Sequence, residues 1–234
     1  ATLTPAKQAI GITYFHWGFH AWAIYMVVGL SLAYFSFRKG LPLTIRSCFY
    51  PLLGNRIYGR WGHCIDIFAV VGTMFGVATS LGLGAMQINS GLNFIGDCPE
   101  TKLTQIILIA LITACATVSV VLGLEKGISR LSNFNIMLSV ILLAFVFILG
   151  PTMFIVNTFG EGVKNYLSNI VYFSYWSEWV APTDWKANWT IFYWGWWIAW
   201  APFVGLFIAR ISKGRTIREF ILGGLFAPTL ATFI

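Results

Sequence analysis

Tryptophan residues are concentrated in one short stretch of this chain. Trp194, Trp196, Trp197 and Trp200 lie within twelve residues of Trp189. If the stretch is helical, it rises about 16 Å along the helix axis. An interfacial aromatic belt occupies only the headgroup level of a membrane. In a membrane helix, some of these rings would therefore lie deeper than a belt requires.

Indole faces attract cations, and this favours one class of ligand. A quaternary ammonium group has no N–H to donate, whereas each ring can attract it with roughly 0.5–2 kcal/mol. At the upper part of that range, three or four rings could supply about 4–8 kcal/mol, which corresponds to millimolar to micromolar affinity before entropic costs. A second aromatic group, Trp17, Trp22 and Tyr25, projects within one arc of a predicted helix. The pattern predicts an aromatic cage for glycine betaine, choline or carnitine.

A repeat of polar residues indicates a function less specifically than the aromatic residues do. Asp66, Thr73, Ser80 and Gln87 recur every seven residues, which predicts one polar helix face. That face either lines an ion or substrate pathway or makes ordinary bonds between helices.

Neither the histidines nor the cysteines predict a metal site. His16 and His20 have helical i, i+4 spacing but no third ligand nearby, which favours packing or a proton relay. The four cysteines have no CxxC spacing, so neither a disulfide nor a metal site is expected.

The composition identifies the elements that must position these residues. The chain has 234 residues, of which 58% are hydrophobic and 10% charged, and its mean hydropathy is +0.76. Soluble domains are about 45–50% apolar and about 25% charged. These values exclude a water-soluble enzyme and a disordered chain. They predict an all-α, polytopic membrane protein. We expect no enzymatic activity and no cofactor.

Long runs with few charges predict five membrane-spanning helices. Their predicted bounds are residues 8–37, 64–94, 103–124, 135–157 and 189–209. A sixth run, residues 220–234, is too short to span and is interpreted as truncated. The chain is therefore expected to be one transmembrane transporter domain, an internal fragment of a longer protein.

The charge distribution predicts orientation. The net charge is +7, but the basic residues cluster in alternate loops, as the positive-inside rule requires. This favours a membrane protein over a nucleic-acid-binding one. Residues 159–188 are too polar to span and carry apolar residues at helical spacing, which predicts an amphipathic helix along the external interface.

Several stretches resemble the betaine/choline/carnitine transporter family. The most specific is Asn188–Trp197, with the sequence NWTIFYWGWW. Phe15–Tyr25, Phe49–Gly59 and Phe75–Gly84 are similar to further family segments in the same order. The resemblance covers essentially the whole chain, which would correspond to the fourth to eighth helices and part of the ninth helix of a twelve-helix carrier.

The resemblance implies a fold and a set of site residues. It implies two inverted five-helix repeats, alternating access and a substrate near the midplane. Coupling to a sodium or proton gradient would involve Thr73, Phe203 and nearby Ser80, although Val77 stands where sodium-coupled members have a further threonine. The implied aromatic box comprises Trp17, Trp22, Tyr25 and Trp197, with Trp194, Trp196 and Trp200 beside it.

The expected protein is therefore an osmolyte importer of the bacterial cytoplasmic (inner) membrane. Its expected substrate is choline or glycine betaine, and the family implies a homotrimer in the lipid bilayer. Two alternatives remain open: a carnitine-type exchanger, and a sensor or channel subunit that has an aromatic cage but no coupled transport. A structural subunit anchored by its tryptophans explains the depth of the rings less well.

Overall fold

The computed structural model describes residues 5–123, 127–175 and 187–234. In these residues the regular structure is helical, and no strand occurs. The α-helices are, in order, α1 (Pro5–Trp17), α2 (Phe19–Ala33), α3 (Tyr50–Leu53), α4 (Arg60–Gly96), α5 (Lys102–Val121), α6 (Ser129–Leu149), α7 (Thr152–Ser168), α8 (Ile170–Ser174), α9 (Phe192–Ile211) and α10 (Ile217–Phe233). Short 3₁₀ and π turns connect several of them.

Within the described residues, five segments are long and apolar enough to cross a membrane, which confirms the all-α polytopic class. They are Ala9–Arg38, Arg60–Gly96, Lys102–Val121, Ser129–Leu149 and Asn188–Ile211. The first combines α1, α2 and the π turn Tyr34–Arg38. Few residues of the segments Arg60–Gly96, Lys102–Val121 and Ser129–Leu149 are buried, as expected when lipid supplies their apolar surroundings.

The boundaries of three predicted segments were wrong. The helix expected at 135–157 begins at Ser129 and ends at Leu149, because Pro151 disfavours helical backbone in the residue before it. The helix expected to end at 124 ends at Val121, and Gly123 follows with φ +85°. The amphipathic helix expected from residue 159 begins at Thr152. Part of that predicted segment, residues 176–186, lies outside the described residues.

Two compact units make up the chain, residues 1–77 with 158–234, and residues 78–157. In the first unit, α2 packs against α9 and α10. Gly29 and Gly205 allow the close approach of α2 and α9: a Cβ on Gly29 would lie 3.2 Å from the Gly205 carbonyl oxygen. Small residues at such crossings are typical of membrane helices.

An aromatic core stabilises the first unit. It comprises Tyr14, Phe15, Tyr166, Phe173 and Phe233. The rings of Tyr14 and Phe233 stack with centroids 4.1 Å apart, and Phe15 stacks on Phe173 at 5.6 Å. This core joins α1 to α7, α8 and the end of α10.

In the second unit, a short connection joins α4 to α5. The side-chain amides of Asn89 and Asn93 donate to the carbonyls of Pro99 (3.2 Å) and Cys98 (2.9 Å). Thr101 caps α5 by accepting from the backbone N–H of Thr104. These bonds fix the turn, while the apolar side chains of α5 and α6 remain largely exposed, as lipid-facing helices do.

Candidate functional site

The candidate site is built around a break in the first membrane segment at Gly18. This residue has φ −93° and ψ −144°, so α1 ends at Trp17 and α2 begins at Phe19. A Cβ at Gly18 would collide with the carbonyl oxygen of Tyr14 and lie 2.8 Å from the ring of Phe233. Only glycine fits here without displacing the neighbouring helix end.

The break leaves the last carbonyls of α1 available to other helices. The last carbonyls of any helix have no partner within it. Here the Trp197 indole Nε1–H donates to the His16 carbonyl at 3.0 Å, and the Thr232 hydroxyl donates to the Trp17 carbonyl at 2.9 Å. Side chains of α9 and α10 thereby fasten the end of α1.

The Trp197 ring is the centre of an aromatic cluster from three helices, α1, α2 and α9. Its centroid lies 5.1 Å from Trp17 and 5.2 Å from Tyr25, in edge-to-face geometry, and 6.4 Å from Trp22. Trp22 and Tyr25 contact each other at 5.5 Å. These four residues, Trp17, Trp22, Tyr25 and Trp197, are called the Trp197 cluster below. The structure thus brings together the four residues of the implied box.

The other three tryptophans of the predicted set occupy different surroundings. Trp196 borders the cluster through Trp17, at 6.2 Å. Trp194 instead packs on Phe15 (5.0 Å) and the two histidines. Trp200 contacts Phe203 at 5.7 Å and lies close to Gly76 of α4. Trp194 and Trp200 thus contact rings outside the Trp197 cluster.

One polar atom of the Trp197 cluster is buried without a partner among the described residues. It is the indole Nε1 of Trp22. A buried donor that makes no hydrogen bond costs about 1–3 kcal/mol. This N–H is therefore suited to a polar atom of a ligand or of a further helix.

The two histidines bind hydroxyl groups. His20 bridges the Tyr166 hydroxyl (2.9 Å, at Nδ1) and the Ser174 hydroxyl (2.7 Å, at Nε2). His16 Nε2 pairs with the Thr190 hydroxyl at 3.1 Å. Burial raises the pKa of Tyr166 to about 12, so its hydroxyl keeps its proton. Sequence reasoning missed these partners, which are distant along the chain and carry no spacing signal.

Two of the ion-coupling candidates line one cavity. Thr73 and Phe203 contribute to a cavity of about 400 Å³ that also includes Asp66 and Pro202. The Thr73 hydroxyl donates to the Ala69 carbonyl at 2.9 Å, which leaves its oxygen lone pairs able to accept. The third candidate, Ser80, lies further along α4 and is not among the residues lining this cavity.

The Asp66 carboxylate, which borders this cavity, is paired with Arg46. The Arg46 backbone N–H donates to Asp66 Oδ1 at 3.0 Å, and Arg46 Nε lies 3.1 Å from Oδ2. Both side chains are partly exposed, so the pair contributes modestly to stability. Its evident effect is to attach the loop before α3 to the beginning of α4.

Comparison with known proteins identifies the family. The family model for betaine/carnitine/choline family transporters matches residues 1–234. The chain belongs to this transporter family. It is therefore a multi-pass protein of the bacterial inner membrane, in agreement with its five membrane-capable helices.

Named relatives of this family member are bacterial. It is 49% identical to a glycine betaine transporter of Acinetobacter baylyi, over 100% of this chain and 35% of the relative. It is 48% identical to the glycine betaine transporter OpuD of Bacillus subtilis, over 100% and 46%. It is 46% identical to the high-affinity choline transport protein of Escherichia coli, over 100% and 35%. The chain thus spans less than half the length of these curated relatives.

Proposed function

We propose that the full-length protein imports a quaternary ammonium osmolyte, glycine betaine or choline, by secondary active transport with alternating access. The observation that supports this most directly is the Trp197 cluster, in which rings from α2 and α9 and the end of α1 meet at a helix break. The named relatives transport substrates of the same chemical class.

The cluster is suited to a methylated cation for two reasons. Four aromatic rings offer negative faces, and each is worth roughly 0.5–2 kcal/mol toward a cation. The unpartnered Trp22 Nε1–H lies beside them and could donate to the carboxylate of glycine betaine or the hydroxyl of choline. Because the rings already contact one another, we expect the cation to bind against their outer faces or to displace one ring.

We propose that Trp194, Trp196 and Trp200 line the path to this site. Trp196 borders the cluster. Trp200 contacts Phe203, and Phe203 lines the cavity that includes Thr73. A path from the cluster along one face of α9 would pass Trp196 and Trp200. Trp194 projects from another face, toward Phe15, and would border the path from that side. They act, in this proposal, on substrate passage rather than on affinity.

Coupling is the second part of the proposal. Thr73 and Phe203 share a cavity in which a hydroxyl oxygen and an aromatic face could both attract a cation. Val77, one turn after Thr73, supplies no oxygen. We therefore propose coupling in which protons can replace sodium, and we assign no resident cofactor. The full-length protein is proposed to form a homotrimer, as the family resemblance implies.

The test is uptake by the full-length protein in a bacterial strain without other osmolyte carriers. Radiolabelled glycine betaine and choline should enter saturably and compete with each other, and carnitine should compete poorly. Uptake of carnitine only in exchange for internal carnitine would instead support an exchanger. Binding without saturable uptake would support a sensor.

A pair of tryptophan substitutions tests whether uptake depends on the Trp197 cluster. Trp197→Leu should abolish saturable uptake at normal expression, whereas Trp61→Leu should not, because Trp61 is 65% exposed and lies outside the Trp197 cluster. Unchanged uptake by Trp197→Leu would remove this residue from the site.

A further inference from the structure

A second cavity lies away from the Trp197 cluster, where two membrane segments end. Its volume is about 410 Å³, and its walls come from the end of α2, the π turn after it, and the connection between α9 and α10. The segments Ala9–Arg38 and Asn188–Ile211 both end at its rim. A cavity at the end of two spanning segments lies at the level of the lipid headgroups.

Three cationic side chains line this cavity: Arg38, Lys213 and Arg215. No carboxylate is among its described lining residues. The nearest acidic group in sequence, Glu219, accepts from the Thr216 backbone N–H (2.8 Å) and hydroxyl (3.0 Å). These bonds, and to a smaller extent Arg215, lower the pKa of Glu219. The carboxylate is thus occupied in capping α10, and the cavity has an excess of positive charge.

The rest of the cavity is apolar and aromatic. Leu30 and Ala33 of α2 line it, and Phe220 forms a buried part of the wall, 6% exposed. The Lys213 ammonium lies 6.0 Å from the Phe37 ring centroid, a cation–π distance at the long end of the range. Cations and apolar walls together match an amphiphile better than a fully hydrated anion.

The backbone of the connection brings the cations together. Gly214 has φ +87°, a conformation that other residues rarely adopt. The turn is closed by a bond from the Arg215 N–H to the Ser212 carbonyl at 3.0 Å. Lys213 and Arg215 on either side of this turn both line the cavity, as Arg38 does.

We propose that this cavity binds the phosphodiester headgroup of an anionic phospholipid such as phosphatidylglycerol. Guanidinium groups bind phosphate oxygens in charge-assisted, bidentate geometry. Basic pockets between membrane helices on the cytoplasmic side are a known way to hold anionic headgroups. The acyl chains would leave along Leu30 and Phe220 toward the hydrocarbon layer. This inference does not depend on the proposed substrate or coupling ion.

The experiment measures lipid retention by the purified full-length protein. The protein is extracted from vesicles of equal parts phosphatidylglycerol and phosphatidylcholine, and native mass spectrometry counts the bound lipids. Wild type should retain phosphatidylglycerol preferentially. The double variant Arg38→Gln/Arg215→Gln should reduce this preference by about tenfold.

A charge-matched control separates the cavity from general basicity. Arg56→Gln/Arg60→Gln removes the same charge from exposed positions that do not line the cavity, and it should retain the wild-type preference. Equal losses in both double variants would overturn the proposal. So would an unchanged preference in Arg38→Gln/Arg215→Gln.

Phosphate competition and hydrogen exchange provide two further measurements on the same cavity. Inorganic phosphate at physiological concentration should not displace the lipid; complete displacement would indicate a site for a soluble anion and overturn the proposal. If the cavity variant does not fold, hydrogen exchange of wild type in nanodiscs decides. Residues 212–217 should exchange more slowly with phosphatidylglycerol than with phosphatidylcholine alone, and equal exchange would contradict the proposal.

Discussion

Replacing Trp197 separates its two contributions to the proposed site. Its ring faces the other members of the Trp197 cluster, and its Nε1–H donates to the His16 carbonyl at 3.0 Å. Trp197→Phe keeps a ring but removes the N–H, whereas Trp197→Leu removes both. The pair of variants therefore measures the ring and the hydrogen bond in steps.

The expected magnitudes follow from the contacts. Loss of one ring face costs about 1–2 kcal/mol toward a cation, and loss of the hydrogen bond that positions the ring costs about 1 kcal/mol. Trp197→Leu should thus weaken substrate binding by about 30- to 150-fold. Trp197→Phe should weaken it by about 5- to 30-fold, because phenylalanine attracts cations less than tryptophan does.

The assay is equilibrium binding of radiolabelled glycine betaine to the purified full-length protein, with scintillation proximity detection. Trp61→Leu is the control for a tryptophan lost from an exposed position. Size-exclusion profiles should show that each variant remains folded. A Kd for Trp197→Leu within twofold of wild type would contradict a role of Trp197 in binding, as would an equal loss in Trp61→Leu.

Four further predictions concern other parts of the chain. Trp22→Phe should weaken binding of glycine betaine more than binding of tetramethylammonium, because both lose the stronger ring but only glycine betaine has an oxygen to accept from the indole N–H; equal effects on both would show that this N–H does not contact substrate. Uptake should persist when potassium replaces sodium under a maintained proton gradient, because Val77 supplies no oxygen, and Val77→Thr should raise the response to sodium; strict sodium dependence of wild type would contradict this. Gly29→Leu should lower the thermal stability of the full-length protein by several degrees, since the added side chain meets the Gly205 carbonyl; an unchanged melting temperature would show that α2 and α9 can separate freely. A membrane-impermeant thiol reagent on intact cells should label Cys98 and not Cys48, and the reverse would overturn the orientation.

The thiol experiment needs a second internal cysteine. Burial raises the pKa of Cys48 to about 11, so this thiol is largely protonated and reacts slowly on either side of the membrane. Cys64 is exposed near the beginning of α4, which the same orientation places inside. It should react only after the cells are permeabilised, and labelling of Cys64 in intact cells would contradict the orientation.

The class of membrane protein could be predicted from the sequence because it depends on hydropathy and charge summed over long segments. Long apolar runs and alternating basic loops identify spanning segments whatever their packing. The residues at which helices begin and end were harder to predict, because counting charges takes no account of the backbone conformations that proline and glycine favour. Pro151 ends α6 eight residues before the apolar run ends at Asn157, and Gly18 interrupts a run that is apolar on both sides.

The candidate site was predictable in composition but not in geometry. Four of the seven aromatic residues meet around Trp197, as the motif implied. The separate position of Trp194 follows from its contacts with Phe15 and the histidines, which depend on a distant part of the chain. The hydroxyl partners of His20 likewise come from α7 and α8, so no sequence pattern near His20 could predict them.

In the proposed function, the Trp197 cluster recognises the positive charge of a trimethylammonium group. The decisive measurement is competition by choline and by its uncharged isostere 3,3-dimethylbutanol against radiolabelled glycine betaine on the full-length protein. The two molecules have nearly the same shape, so burial of methyl groups favours both equally. Four rings should favour choline by about 30-fold or more, whereas equal inhibition by the two compounds would contradict a cation-binding cage.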